Sequence, residues 1–240
     1  MRPRHWLRWL IGAIAAAAVL AAAAPFIYIH FFNSAPAVLS LSPSSSAAAS
    51  SSASSTAAAN TAARGSVAGT WTIGSGSVVG YRVNEVLLGQ NTTAVGRTAS
   101  VTGHLTVTGT TATAASFSVP MATVHSDKSQ RDAQFDGRIM DVSQYPTGTF
   151  TLTSPIDLAP LPSAAAVNSY TAHGHLTLHG TTRAVTFTLT AERAGSQIKV
   201  AGDIPVLFSD YNIRNPSFAG FVTTQDHGLL EFLLVFTKAG

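Results

Sequence analysis

From Thr70 onward, apolar residues recur at every second position. Tyr170, Ala172, Gly174, Leu176 and Leu178 alternate with Thr171, His173, His175 and Thr177. Val79, Tyr81 and Val83 repeat the pattern, as do Phe117 with Val119, and Val185, Phe187 and Leu189 between threonines. A period of two belongs to the extended chain, whose successive side chains point to opposite faces. One face is apolar and the other rich in Thr and Ser, which suits an antiparallel sheet with a solvated outer side. Turn signals at Thr108-Gly109, His179-Gly180 and Ala194-Gly195 cut the sequence into about eight strands. Near the C-terminus, Phe232, Leu234 and Phe236 share a face, but Leu233 and Val235 make that strand apolar on both sides. An open sheet of this kind would present unpaired edges, and closure into a barrel removes them. A barrel of about eight strands has room for one small ligand. A two-sheet sandwich is the competing architecture. A transmembrane barrel does not fit, because the outward residues are Thr, Arg and His and not an apolar band.

The chain divides into three parts. Residues 1–66 carry four Arg and no acid, while residues 67–240 carry ten Lys/Arg against eleven Asp/Glu. The positive net charge therefore belongs to the N-terminus, and no nucleic-acid partner is expected, since that would need a basic patch on the folded domain. There is no cysteine, which excludes disulfides, thiolate nucleophiles and zinc-thiolate sites. Arg2, Arg4 and Arg8 precede residues 11–32, whose only strongly polar member is His30. That length spans a bilayer as a helix, and the preceding basic residues place the N-terminus in the cytoplasm. Residues 1–33 thus read as a cytoplasmic start and a single transmembrane anchor in the cell membrane, with the remainder extracytoplasmic. A cleaved signal peptide is the rival, with Ala22-Ala23-Ala24 as its cleavage region and a secreted product. The apolar run continues through Phe26, Ile27, Tyr28 and Ile29, which favours the anchor. Residues 34–66 contain 23 Ser or Ala among 33, too few large apolar groups to repay ordering. They read as a disordered linker reaching roughly 30 Å root-mean-square. Residues 67–240 are long enough for one domain with a sizeable core.

Residues 126–150 interrupt the alternation with seven charges: Asp127, Lys128, Arg131, Asp132, Asp136, Arg138 and Asp141. Ser126 is placed to cap a helical turn over residues 127–135, with Asp127 favourable at its start. Phe135, Ile139 and Met140 give this insert an apolar underside, and strand alternation resumes at Thr149-Phe150-Thr151. The insert reads as a charged, partly helical cover over a barrel opening. Asp127, Arg131 and Asp132 read as structural ion pairs that fix its geometry. His173, His175 and His179 form the best metal-like spacing, but they lie on the Thr-rich outer side with no carboxylate nearby, so no metal site is assigned. Glu85, Asp132, Asp210 and His227 are the groups an enzyme would draw on. Nothing brings two of them to a defined spacing, and the reading is non-enzymatic.

Four passages occur in order along the domain. They are Trp71-Thr72-Ile73 with residues 77–83; Ser126-Asp127, Arg131-Asp132, Tyr145-Pro146 and Phe150; residues 174–180 with Arg183-Ala184-Val185; and Ser209-Asp210-Tyr211-Asn212-Ile213. Together they resemble the YceI family of lipid-binding, lipocalin-like barrels. Departures are Phe208 where the family often has Arg, Asn212 where it often has Gly, and Phe135 with Ile139-Met140 in the insert. The resemblance implies that the barrel holds an isoprenoid lipid, a quinone or a polyprenyl chain, along its axis and needs no other cofactor. Each buried CH₂ contributes about 0.8 kcal/mol, so a long tail binds well without many hydrogen bonds. The inward ligand candidates are then Tyr81, Val83, Phe117, Phe150, Phe187, Phe208 and Tyr211, with Phe135, Met140, Phe218 and Phe221 at the mouth. Two other functions stay open: a surface interaction module with a filled barrel, and an enzyme acting on a small apolar substrate in the cavity.

Overall fold

The computed structural model describes residues 9, 35–41, 66–87, 89–159, 167–217 and 222–239. Its strands are β1 (Gly69–Ile73), β2 (Val78–Leu87), β3 (Gln90–Thr98), β4 (Thr102–Thr108), β5 (Thr111–Pro120), β6 (His125–Ser126), β7 (Thr147–Leu152), β8 (Ile156–Asp157), β9 (Asn168–Leu178), β10 (Thr181–Ala194), β11 (Gln197–Leu207), β12 (Val222–Thr224) and β13 (His227–Lys238). Hydrogen bonding runs β1-β4-β5-β7-β9-β10-β11-β13, and β13 closes back onto β1. All pairings are antiparallel, so the domain is a closed eight-stranded barrel and not a sandwich.

β1 and β2 act as two halves of one bent strand. β13 pairs with β1 at Phe236–Lys238 positions and with β2 at Leu229 to Leu233. Ser77 pins the corner between them: its hydroxyl donates to the Gly74 carbonyl at 2.8 Å and accepts from the Val235 amide at 2.9 Å. Beyond the corner, β2 pairs with β3, while β1 pairs with β4. The barrel therefore has an upper half, walled partly by β2 and β3, and a lower half, walled partly by β1 and β4. The alternation holds strand by strand: Ala172, Leu176 and Leu178 of β9 are buried, and His173 and His175 are exposed.

The lower half is filled. Trp71 is buried and its indole N–H donates to the Val67 carbonyl at 2.8 Å. Above it, Phe117, Phe150, Phe187 and Phe232 form a closed cycle of ring contacts with centroids 5.3 to 6.0 Å apart. Gly174 is needed for this packing, because a Cβ there would stand 2.3 Å from the Phe150 ring.

The insert contains α1 (Ser129–Gln134), continued by a wider helical turn, Phe135–Ile139. Ser126 does not cap it. Ser126 is already committed to β6 by pairing with Gly96, and Lys128 occupies the cap position without a side-chain bond. Asp132 instead turns back from the helix and accepts from the Ser126 amide at 2.8 Å and the Ser126 hydroxyl at 2.6 Å.

The expected span, residues 11–32, lies outside the described residues. Among those described, no helix is long and apolar enough to cross a membrane. The flexible-linker reading needs correction at its start. Residues 35–41 lie against the outer wall, where Arg82 donates to the Pro36 carbonyl at 2.8 Å and Arg97 donates to the Ala37 carbonyl. Composition averaged over the linker concealed this segment.

Candidate ligand cavity

The upper half of the barrel is hollow, enclosing a cavity of about 450 Å³. Tyr81 and Val83 from β2, Phe117 and Val119 from β5, Leu176 and Leu178 from β9 and Leu230 from β13 form its wall, and Phe208 projects from the turn after β11. The insert closes over them with Phe135, Ile139 and Met140. Tyr81 stacks on Phe135, with centroids 5.2 Å apart and planes 14° from parallel, which joins wall to cover. Gly96, opposite Tyr81 in the β2–β3 pair, makes room for that ring; a Cβ at Gly96 would stand 2.3 Å from it. Burial pushes the Tyr81 phenol up to about 12, so it keeps its proton and remains a neutral donor.

The charged and amide groups that line the cavity are Glu85 of β2 and Lys128, Gln130, Arg131, Gln134 and Arg138 of the insert. Arg131 reaches from the insert to Glu85 at 3.3 Å and also pairs with Asp127. Arg138 donates to the Gln134 side chain at 3.0 Å and to the Pro216 carbonyl at 3.1 Å. Thr224 pairs with Glu85 across β12 and β2, lines the cavity, and has a buried hydroxyl with no hydrogen-bond partner among the described residues. The chamber is thus mainly apolar, with a minority of polar lining groups. Such a site takes an apolar body by area burial and orients a polar end by a few groups.

The sequence candidates separate by height. Tyr81, Val83, Phe117, Phe135, Met140 and Phe208 line the large cavity. Phe150 and Phe187 do not; they line a smaller cavity of about 90 Å³ in the lower half, which Phe117 also borders. Tyr211 lines neither and is buried in the turn Phe208–Tyr211, its hydroxyl without a partner among the described residues. Alternation tells inside from outside but carries no information on level along the axis, which is why these three were grouped with the rest. Phe218 and Phe221 lie outside the described residues. Met121, Val124, Val206 and Ile213 also line the chamber and were not foreseen. Val206 follows the β11 alternation, whereas Met121 and Val124 sit at a helical turn where no period marks them.

Asp127, Arg131 and Asp132 occupy the insert as scaffold. Burial works against ionisation of Asp132, but the two bonds from Ser126 and the neighbouring His125 outweigh it and hold the carboxyl below its ordinary value. Of the groups an enzyme would use, Glu85 alone lines the cavity, where it is paired with Arg131; Asp132 is tied to Ser126, and Asp210 and His227 are exposed. His173 and His175 are on the outer side, with His173 bonded to the Thr186 hydroxyl at 2.9 Å, while His179 sits in a turn against the Tyr145 ring. Among the described residues, no three metal-ligating groups converge.

A closed antiparallel barrel with an apolar chamber under a helical cover is a lipocalin-like architecture. Residues 71–236 match the YceI-like domain, and the chain belongs to the YceI family. A polyisoprenoid-binding domain from Saccharophagus degradans shares the fold, with a TM-score of 0.58 at 16% identity over 72% of this chain and 99% of that one. BcnA from Burkholderia cenocepacia has a TM-score of 0.50 at 22% identity, covering 65% of this chain and 95% of that one. No curated protein matches the sequence.

Proposed function

We propose that this protein binds an isoprenoid lipid, a quinone or a polyprenyl chain, in the upper chamber and acts as a membrane-tethered, extracytoplasmic container without a catalytic step. The observation that carries this reading is the apolar cavity of about 450 Å³ under the insert. A filled barrel serving only as a surface module would have no such chamber. The polyisoprenoid-binding activity in the name of the Saccharophagus degradans relative supports the same ligand class. Tethering is supported by Arg2, Arg4 and Arg8 ahead of the apolar run at 11–32.

Chain and head group divide the work. The tail lies against Val83, Val119, Leu176 and Phe208, where burial of each CH₂ contributes about 0.8 kcal/mol. The polar end faces the Glu85–Arg131 pair. The test is to purify the full chain, extract it with organic solvent and identify the bound lipid by mass spectrometry. A chain that co-purifies with an isoprenoid, or takes one up on incubation, meets the expectation. A chain that stays empty after incubation with quinones and polyprenols overturns it.

A further inference from the structure

We infer that residues 35–41 form a strap that holds the barrel mouth close to the bilayer, an inference that rests on reading residues 11–32 as a membrane span. Burial alternates along the strap: Leu39 and Leu41 are half-buried, while Val38 and Ser40 beside them are exposed. That period of two turns one side of the segment to the wall. The wall is built to receive it. Arg82 on β2 and Arg97 on β3 both point outward and converge on Glu231 of β13, with contacts of 3.1 Å from Arg82 and 2.7 Å from Arg97. Glu231 is only 1% exposed although it lies on the outer face.

A carboxylate buried between two guanidiniums fixes both of them, and their remaining N–H groups are then aimed before the strap arrives. Those groups take two successive carbonyls, Pro36 and Ala37. Pro36 fixes one backbone dihedral of the strap and lowers its ordering cost. Leu233, half-buried on the outer side of β13, lies two residues from Glu231. A barrel wall meant for water alone would be polar there.

The distances give the strap its consequence. From Phe32 to Pro36 the chain spans at most about 14 Å. From Arg82 to the rim residue Glu85 is about 10 Å along the strand. With about 10 Å more for the Arg82 side chain and its hydrogen bond to Pro36, the mouth is held within roughly 35 Å of the end of the span. A free linker from residue 34 to 66, at full extension, would let the domain move out to about 110 Å. The bilayer is thus kept near the mouth, and a lipid can pass between them without excursions of the whole domain.

The absence of cysteine allows single labelled sites. With the full chain in phosphatidylcholine vesicles, a spin label at Ser40→Cys is expected to be restricted, and one at Ser52→Cys mobile. Leu39→Ser with Leu41→Ser alters no barrel residue and is expected to free the Ser40 label. Arg82→Gln with Arg97→Gln is expected to do the same, and the strap variant decides the matter should the arginine variant fail to fold. Energy transfer from a fluorophore at Val86→Cys to headgroup-labelled lipid is expected to fall by roughly half or more in the strap variant, as the domain moves out on its linker. Equal mobility at positions 40 and 52 overturns the strap. A restricted label with transfer unchanged by the strap variant overturns the placement at the bilayer. Failure of the chain to float with vesicles overturns the span and the placement together. No readout depends on a bound lipid, so failure of the isoprenoid reading leaves this result intact.

Discussion

The upper and lower halves of the barrel share strands and alternation yet differ in what occupies them. β5, β9 and β13 run through both. On one side of Phe117 they wall a chamber of about 450 Å³; on the other, Phe150, Phe187 and Phe232 leave about 90 Å³. Inward direction is set by the period of two, but hollowness is set by side-chain size at each level. Phe117 borders both spaces and is the boundary between them.

The sharpest test of that difference is stability. Phe232→Ala opens a void in the packed floor and is expected to cost about 3–5 kcal/mol in urea denaturation. Val83→Ala, whose side chain already faces space, is expected to cost about 1 kcal/mol. Equal losses at the two sites would break the contrast between packed floor and hollow chamber. Phe117→Ala is expected to join the two spaces. Mass spectrometry of polyprenols of graded length should then show the preferred bound chain shifting longer, and an unchanged length profile would remove Phe117 as the boundary.

Smaller effects belong to the cover. Gly96→Ala collides with the Tyr81 ring and is expected to cost about 1–3 kcal/mol by overpacking, with the insert loosened in hydrogen exchange. Acidification should act on the same region. The Asp132 carboxyl is held below its ordinary value, so its contribution is present above the ordinary carboxylate range and lost as pH falls through the folded value. The Ser126 amide should therefore lose exchange protection, relative to its intrinsic rate, in acid while β9 does not, and Asp132→Asn should abolish that pH dependence. The smallest change is expected at Lys128→Ala, whose 3.7 Å pair with Asp127 is largely exposed; about 0.5 kcal/mol or less is expected from thermal unfolding.

The strand pattern, the eightfold closure and the site of the insert were all legible in the sequence, because each follows from local periodicity or its interruption. The level of a residue along the barrel axis was not. Phe150 and Phe187 alternate as faithfully as Tyr81, yet they border only the lower cavity. The role of Ser126 was misread because a strand bridge to Gly96 competes with capping, and that bridge is long-range. The strap carried a weak local sign, Leu39 and Leu41 two apart after Pro36, which the surrounding Ser and Ala diluted. The two-faced apolarity of β13 was visible, and part of its reason lies outside the barrel, where Leu233 stands two residues from the clamp residue Glu231.

Glu231 also has a consequence in time. It stands on the last strand of the chain, whereas the arginines it gathers are 149 and 134 residues earlier. Contacts of such sequence separation form late and slow folding, since the intervening loop must be closed first. The clamp on residues 35–41 can assemble only when β13 has been synthesised and has zipped against β2. Capture of the N-terminal segment is therefore a report that the barrel has closed, and a chain cut short before Glu231 would be unable to make it.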